Sequence, residues 1–128
     1  MNALKKWEPY AYAALRIVFG LLFACHGASK VFGVLGGSRP QDPLGWVGAI
    51  IELAGGVLIF LGLLTPLAAF VSSGEMAVAY FMVHQPRHLV PFAKQFPLVN
   101  HGELAVIYCF VALYIACRGA GKWGVDKS

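Results

Sequence analysis

A few ionisable residues interrupt long apolar stretches of this 128-residue sequence. They are Arg16, Glu52, Glu75 and Glu103 inside the stretches, and Lys30 at the end of the first stretch. A charged side chain at the centre of a membrane helix costs about 2.5–3.5 kcal/mol on insertion scales, so residues of this kind usually bind a ligand, move a proton or pair with each other. Their placement predicts a polar site among apolar helices.

The residue types suggest how such a site divides its work. Carboxyl and imidazole groups exchange protons when burial adjusts them, which makes Glu52 and His26 the predicted catalytic residues. The predicted ligand-binding residues are the remaining buried or span-end charges, namely Arg16, Lys30, Glu75 and Glu103. Quinone reduction takes up protons together with electrons, so a quinone headgroup is one ligand that this set predicts.

Metal and resident-cofactor chemistry have less support in the sequence. Histidine and glutamate are suitable ligand types, but no E-x-x-H pair is present, and Pro86 argues against a continuous helix across the H-x-x-x-H spacing of His84 and His88. No metal site is therefore predicted, and only His84 and His101 remain as candidate ligands. The sequence carries no haem, flavin or iron–sulfur motif, so electron transfer would require a quinone or a partner subunit.

The composition determines which elements position these residues. Apolar residues make up 59% of the chain and charged residues only 12%, with a mean hydropathy of +0.68. Such a chain has too little polar surface for a soluble domain and too little charge for intrinsic disorder. The net charge is +4, but the basic residues form no cluster longer than Lys5-Lys6. This argues against a nucleic-acid partner. The composition predicts an integral membrane protein with the lipid bilayer as its partner.

Four stretches approach the roughly 20 apolar residues that a bilayer-spanning helix needs. They cover about residues 10–29, 44–64, 66–84 and 102–117. Glycine and proline separate them, and the connections are short. The predicted fold is therefore a single all-α domain over residues 1–128, with four antiparallel transmembrane helices in an up-down-up-down bundle. An N-terminal lipoprotein signal ending at Cys25 is a less favoured alternative, because Arg16 shortens its apolar core.

Depth and helical periodicity sort the polar residues. We call the end without the termini the outer side; most of the buried polar residues fall in its half of the bundle. On the second span Glu52 shares a face with Gly48, Gly55 and Gly56, so its side chain is predicted to point into the bundle. On the fourth span the inward seam is predicted to carry Glu103, Phe110 and Cys117.

Several motifs in order resemble the DoxX family of small bacterial membrane proteins. They are R-x-x-x-G at Arg16–Gly20, H-G-x-x-K at His26–Lys30, E-L-x-G-G at Glu52–Gly56, G-x-x-T at Gly62–Thr65, G-E at Gly102–Glu103, and a glycine-rich tail at Gly119–Asp126. The tail departs from the family pattern at two positions, where Ala120 replaces proline and Gly124 replaces serine.

This resemblance implies a multi-pass protein of the bacterial cytoplasmic membrane. Similar proteins include quinone-reducing thiosulfate oxidoreductase subunits, so it implies a quinone-linked membrane subunit of a redox system and a partner redox subunit. The side of the termini carries five basic residues against four on the other side, which favours cytoplasmic termini. A homodimer interface could complete the site, because four helices enclose little volume.

Two other functions fit the same residues. One is a non-enzymatic scaffold or assembly partner, in which the buried charges only pair with one another and fix the helix register. The other is a transporter for a small molecule or metal, although the chain shows neither the internal repeat nor the broken helices typical of secondary transporters.

Overall fold

The computed structural model describes residues 2–84 and 102–127, and within these ranges the protein is helical without strands. The helices are α1 (Asn2–Lys5), α2 (Glu8–Phe32), α3 (Pro43–Leu61), α4 (Thr65–Ala79) and α5 (Glu103–Arg118). A single π-helical segment, Tyr80–His84, continues α4. The prediction of an all-α protein is confirmed for the described part of the chain.

The helix ends have local causes. Gly62 takes the left-handed conformation at φ 69°, and its N–H donates to the carbonyl of Ile59 at 3.1 Å. This cap stops α3 at Leu61, three residues before the predicted end, because glycine adopts positive φ without a steric cost. Pro66 lies in the first turn of α4, where its missing N–H costs no helical hydrogen bond.

Two of the described helices are long and apolar enough to cross a membrane. They are α2 with 25 residues and α3 with 19 residues. α4 and α5 are shorter, at 15 and 16 residues. The membrane character of the described chain therefore rests on α2 and α3.

Glycines bring α2 and α3 into backbone contact. A Cβ placed on Gly27 would lie 2.1 Å from the backbone nitrogen of Leu53, and one on Gly20 would lie 2.4 Å from that of Phe60. Residue numbers thus rise along α2 as they fall along α3, so the two helices run antiparallel. Small residues at such crossings let helix backbones approach closely, which is how apolar helices associate in lipid.

Aromatic side chains form the core between α2 and α5. The ring of Tyr108 meets Phe19 and Phe23 edge-on, with centroid distances of 5.1 and 5.9 Å. The inward face of α5 consists of Ala105, Tyr108, Ala112 and Ile115. Edge-to-face ring pairs contribute about 0.5–1.5 kcal/mol beyond area burial, so this contact ties α5, which packs mainly against α4, to α2.

The predicted inward seam of the fourth span is wrong. Glu103 and Cys117 are exposed, and Phe110 is 64% exposed. The buried face of α5 is rotated away from that seam. In a membrane helix the lipid-facing side is as apolar as the core, so a heptad of apolar residues does not reveal which side faces the other helices.

Candidate functional site

An ion pair between a partly exposed lysine and a buried carboxylate joins α2 to α3 at the outer end. The Lys30 ammonium donates to both oxygens of the Glu52 carboxylate, at 3.0 Å to Oε1 and 2.8 Å to Oε2. Glu52 is only 2% exposed, so its predicted inward orientation is confirmed. Three residues before Lys30 on α2, just under one turn, Gly27 packs against the backbone of Leu53, and this close crossing holds Glu52 beside Lys30.

A second carboxyl group reaches the same place from α4. A Cβ on Gly48 would lie 3.0 Å from Oε1 of Glu75 and 3.8 Å from Oε2 of Glu52. The absence of a side chain at position 48 therefore makes room for Glu75. The two carboxyl groups therefore lie next to each other at this glycine. Carboxylate oxygens only accept hydrogen bonds, so the two groups can bond to each other only when one of them carries a proton.

The remaining oxygen of Glu75 has no hydrogen-bond partner among the described residues. This atom, Oε2, is buried. Leaving a buried polar atom unpaired costs about 1–3 kcal/mol, more for a charged group, so such atoms usually mark a place where a water molecule or a ligand binds.

The side chains of Lys30, Glu52 and Glu75 line one cleft between α3 and α4, with a volume of about 520 Å³. Its other walls are mostly apolar and come from α3, α4 and the π-helical segment, with Val47, Ile51, Val71, Val78 and Met82 among them. Asp42 and Gly74 also line the cleft. We call it the α3–α4 cleft. An apolar pocket of this size with a few convergent polar groups is typical of a small-molecule site.

The other predicted site residues lie elsewhere. His26 is exposed, and its ring stacks edge-on against Tyr108 at 5.8 Å on the α5 side of α2. Glu103 is exposed at the start of α5. Neither side chain lines the α3–α4 cleft. The structure thus brings together Lys30, Glu52 and Glu75 out of the predicted set.

Arg16 lies at the opposite end of α2 and is fully buried. Its Nη1 donates to the carbonyls of Ile59 at 2.7 Å and Phe60 at 2.9 Å, and its Nη2 donates to that of Lys122 at 3.1 Å. Arg16 therefore caps the last turn of α3 and ties the C-terminal tail to it. A cation is favourable there because the carbonyl end of a helix is negative.

Asp126 completes this arrangement from the tail. Its carboxylate accepts the backbone N–H groups of Thr65 at 2.8 Å and Leu64 at 2.9 Å, which caps the start of α4. These bonds, with that from Thr65 foremost, lower the pKa of Asp126, because they stabilise its charged form. We call the Arg16–Lys122 and Asp126–Thr65 contacts the tail clasp. Only the tail motif signalled it in the sequence.

The described part of the chain contains no cluster of side chains that could hold a metal ion. Across residues 2–84 and 102–127, no three His, Cys, Asp or Glu side chains converge in a metal-binding geometry. The His84 side chain and all of His101 lie outside the described residues. Asp42 and Gly74 also line the α3–α4 cleft, although the sequence analysis did not predict them. The spacing of the glycines along α3 was the sequence signal that indicated the α3 side of this cleft.

Apolar helices of membrane-crossing length, packed through glycines around a few buried charges, define a small helical membrane protein. A family model described as DoxX matches residues 11–85, more than half of the chain, and the protein belongs to the DoxX family.

Two relatives extend this comparison along nearly the whole chain. The sequence is 41% identical to an uncharacterized protein of Haemophilus influenzae, over 99% of this chain and 96% of the relative. It is 26% identical to a Bacillus subtilis protein named "Putative oxidoreductase CatD", over 88% of this chain and 81% of the relative. No solved structure matches the chain.

Proposed function

We propose that this protein is an integral membrane subunit of a redox system and that it binds a quinone headgroup in the α3–α4 cleft. The observation that carries the proposal is the buried, unpaired Oε2 of Glu75 in a cleft with apolar walls. A quinone carbonyl accepts a hydrogen bond from a protonated carboxyl, and a hydroquinone hydroxyl donates one to a carboxylate. The same atom therefore serves both redox states of the ligand.

One relative supports the redox part of the proposal. The Bacillus subtilis relative is named a putative oxidoreductase, and the alignment with it covers 88% of this chain. The charged residues that line the cleft are Lys30, Asp42, Glu52 and Glu75, and we assign the ligand site to Lys30, Glu52 and Glu75. Arg16, His26 and Glu103 stay outside the proposed site.

A quinone takes up two electrons and two protons to become a hydroquinone. The electrons come from a partner redox subunit that carries its own cofactor. The neighbouring carboxyl groups of Glu52 and Glu75 deliver the two protons one after the other, one to each quinone oxygen. After each transfer, a proton from water at the outer end returns to the carboxyl group. Lys30 keeps the pair from carrying two uncompensated negative charges.

We further propose that all four long helices cross the membrane as one up-down-up-down domain with cytoplasmic termini. α4 and the π-helical segment together make a continuous rod from Thr65 to His84, about 30 Å long at 1.5 Å per residue. In a cysteine-free background, single cysteines at Lys127 and Arg39 should react with an impermeant maleimide from opposite faces of the membrane. Labelling from the same face would contradict this topology.

The function is tested by titrating the purified protein in lipid nanodiscs with decylubiquinone. Glu75→Gln should weaken binding at least about tenfold, which corresponds to 1.4 kcal/mol and the loss of the hydrogen bond donated by the carboxyl O–H. Glu8→Gln is the matched control, because Glu8 is an exposed carboxylate of α2 whose partner is Arg118. Absence of quinone binding by the wild type, or unchanged binding by Glu75→Gln, would overturn the assignment.

The scaffold alternative is favoured by one observation, the complete pairing of Lys30 with Glu52. If the pair only holds the helices, Glu52→Gln should lower the amount of folded protein in cells, and cellular function should fall in proportion. If the cleft binds a ligand, Glu75→Gln should leave the protein as abundant as wild type while function is lost. Measuring abundance and function together separates the two.

A further inference from the structure

Three aromatic side chains form an exposed row at the end of the molecule opposite the α3–α4 cleft. The centroids of Trp7 and Tyr10 are 5.8 Å apart, and those of Tyr10 and Trp123 are 5.7 Å apart. Their exposed fractions are 55%, 40% and 66%, in the same order. We call these residues the aromatic row. Indole and phenol rings with one apolar and one polar edge favour the boundary between lipid chains and headgroups.

Two lysines lie over this row. The ammonium of Lys6 is 5.6 Å from the centroid of Trp7, and that of Lys122 is 5.0 Å from the centroid of Tyr10. Among the described residues neither forms an ion pair. The rings hold both ammonium groups in place, because a cation is attracted to the face of an aromatic ring.

The acidic groups at the same end are already engaged. Glu8 pairs with Arg118 at 2.8 Å. Asp126 accepts two backbone N–H groups at the start of α4. Among the described residues, the two lysines over the aromatic row therefore have no carboxylate partner, and the surface they form attracts an external anion.

The backbone holds Trp123 in a costly conformation that extends the row. Its φ is +64°, a left-handed value that is sterically unfavourable for a residue with a side chain. The tail clasp fixes both flanks, because buried Arg16 holds the Lys122 carbonyl and Asp126 is bound to α4. Strain of this kind persists where the surroundings over-determine it, and it often marks a functional position.

We propose that the aromatic row with Lys6 and Lys122 binds the headgroup of an anionic phospholipid. The two ammonium groups take the lipid phosphate through charge-assisted hydrogen bonds, and the exposed rings take the glycerol and the first carbons of the chains. The occupant is a lipid because the row lies at one end of α2, a helix long enough to cross a membrane, and because the free charge is positive. This binding is independent of the α3–α4 cleft and of any redox function.

The proposal is tested by energy transfer from the native tryptophans to dansyl-labelled phosphatidylglycerol, with the protein reconstituted in phosphatidylcholine vesicles. The wild type should prefer the labelled phosphatidylglycerol over labelled phosphatidylcholine. The double variant Lys6→Gln/Lys122→Gln should lose at least about fivefold of this preference, since one lysine near an anionic surface contributes about 1 kcal/mol.

Lys5→Gln/Lys127→Gln is the matched control. It removes the same net charge from the same end, but no ring contact holds either lysine. It should change the preference less than about twofold if a built site is responsible rather than overall charge. Equal losses in the two double variants, or no preference in the wild type, would overturn the proposal. Displacement of the labelled lipid by an equal concentration of inorganic phosphate would also overturn it, because the site would then take free phosphate.

Discussion

Substitution of Gly27 by alanine tests the packing that positions the candidate site. The added Cβ would lie 2.1 Å from the nitrogen of Leu53 and 2.5 Å from its Cα, against 3.4 Å for an ordinary contact. The contacting atoms are backbone and cannot rotate away. α2 and α3 must therefore separate by about 1 Å, at an overpacking cost of about 2–3 kcal/mol.

The same separation of α2 from α3 should also disturb the α3–α4 cleft. The carbonyl carbon of Glu52 is also within 2.7 Å of the added Cβ, so the helix shift displaces Glu52 from Lys30. Gly74→Ala is the matched control, because a Cβ on Gly74 meets nothing within 4 Å. Alanine there should stabilise the protein by up to about 1 kcal/mol through its higher helix propensity.

The assay is reversible unfolding in mixed micelles with increasing dodecyl sulfate, followed by circular dichroism. The two variants should shift the unfolding midpoint in opposite directions, although both make the same chemical change in a helix. A Gly27→Ala protein within about 0.5 kcal/mol of wild type, the range expected for a change that touches no special feature, would refute the close α2–α3 crossing.

Three further predictions concern the opposite end of the protein. Arg16→Met should lower the free energy of unfolding by about 3 kcal/mol, because it removes three hydrogen bonds from a buried guanidinium to backbone carbonyls; stability equal to wild type in the same assay would contradict this. The lowered pKa of Asp126 means that the clasp stabilises the fold at pH values above the ordinary carboxyl range and loses this contribution as the pH falls through the lowered value. Protease resistance should therefore differ between wild type and Asp126→Asn at pH 7, and the difference should shrink on acidification; a constant difference would count against the clasp. Tyr12→Phe removes a 2.5 Å hydrogen bond to the Gly119 carbonyl and should cost about 1 kcal/mol, measured by dodecyl sulfate unfolding, with no change expected if that bond is absent in solution.

The helices and part of the site could be predicted from the sequence. Charged residues are rare in membrane helices because lipid disfavours them, so each one that occurs there indicates a possible site. Glu52 was located on its inward face by the glycines beside it, since small residues mark helix contacts. The inward face of α5 could not be predicted in this way, because Phe110 is as suited to lipid as to a core. Nor could the partner of Arg16, since backbone carbonyls leave no trace in the residue pattern.

The tail clasp has a consequence for how the chain is made. Arg16 enters the membrane early in synthesis, and one of its three acceptors, the Lys122 carbonyl, lies 106 residues further along the chain. Until that stretch is made, the Arg16 guanidinium lacks one of its acceptors in apolar surroundings. The position of α2 against α3 is then less stable than in the complete fold. A chain that stopped before Lys122 would leave Arg16 without one of its three acceptors, so the tail completes the hydrogen bonding of the first long helix.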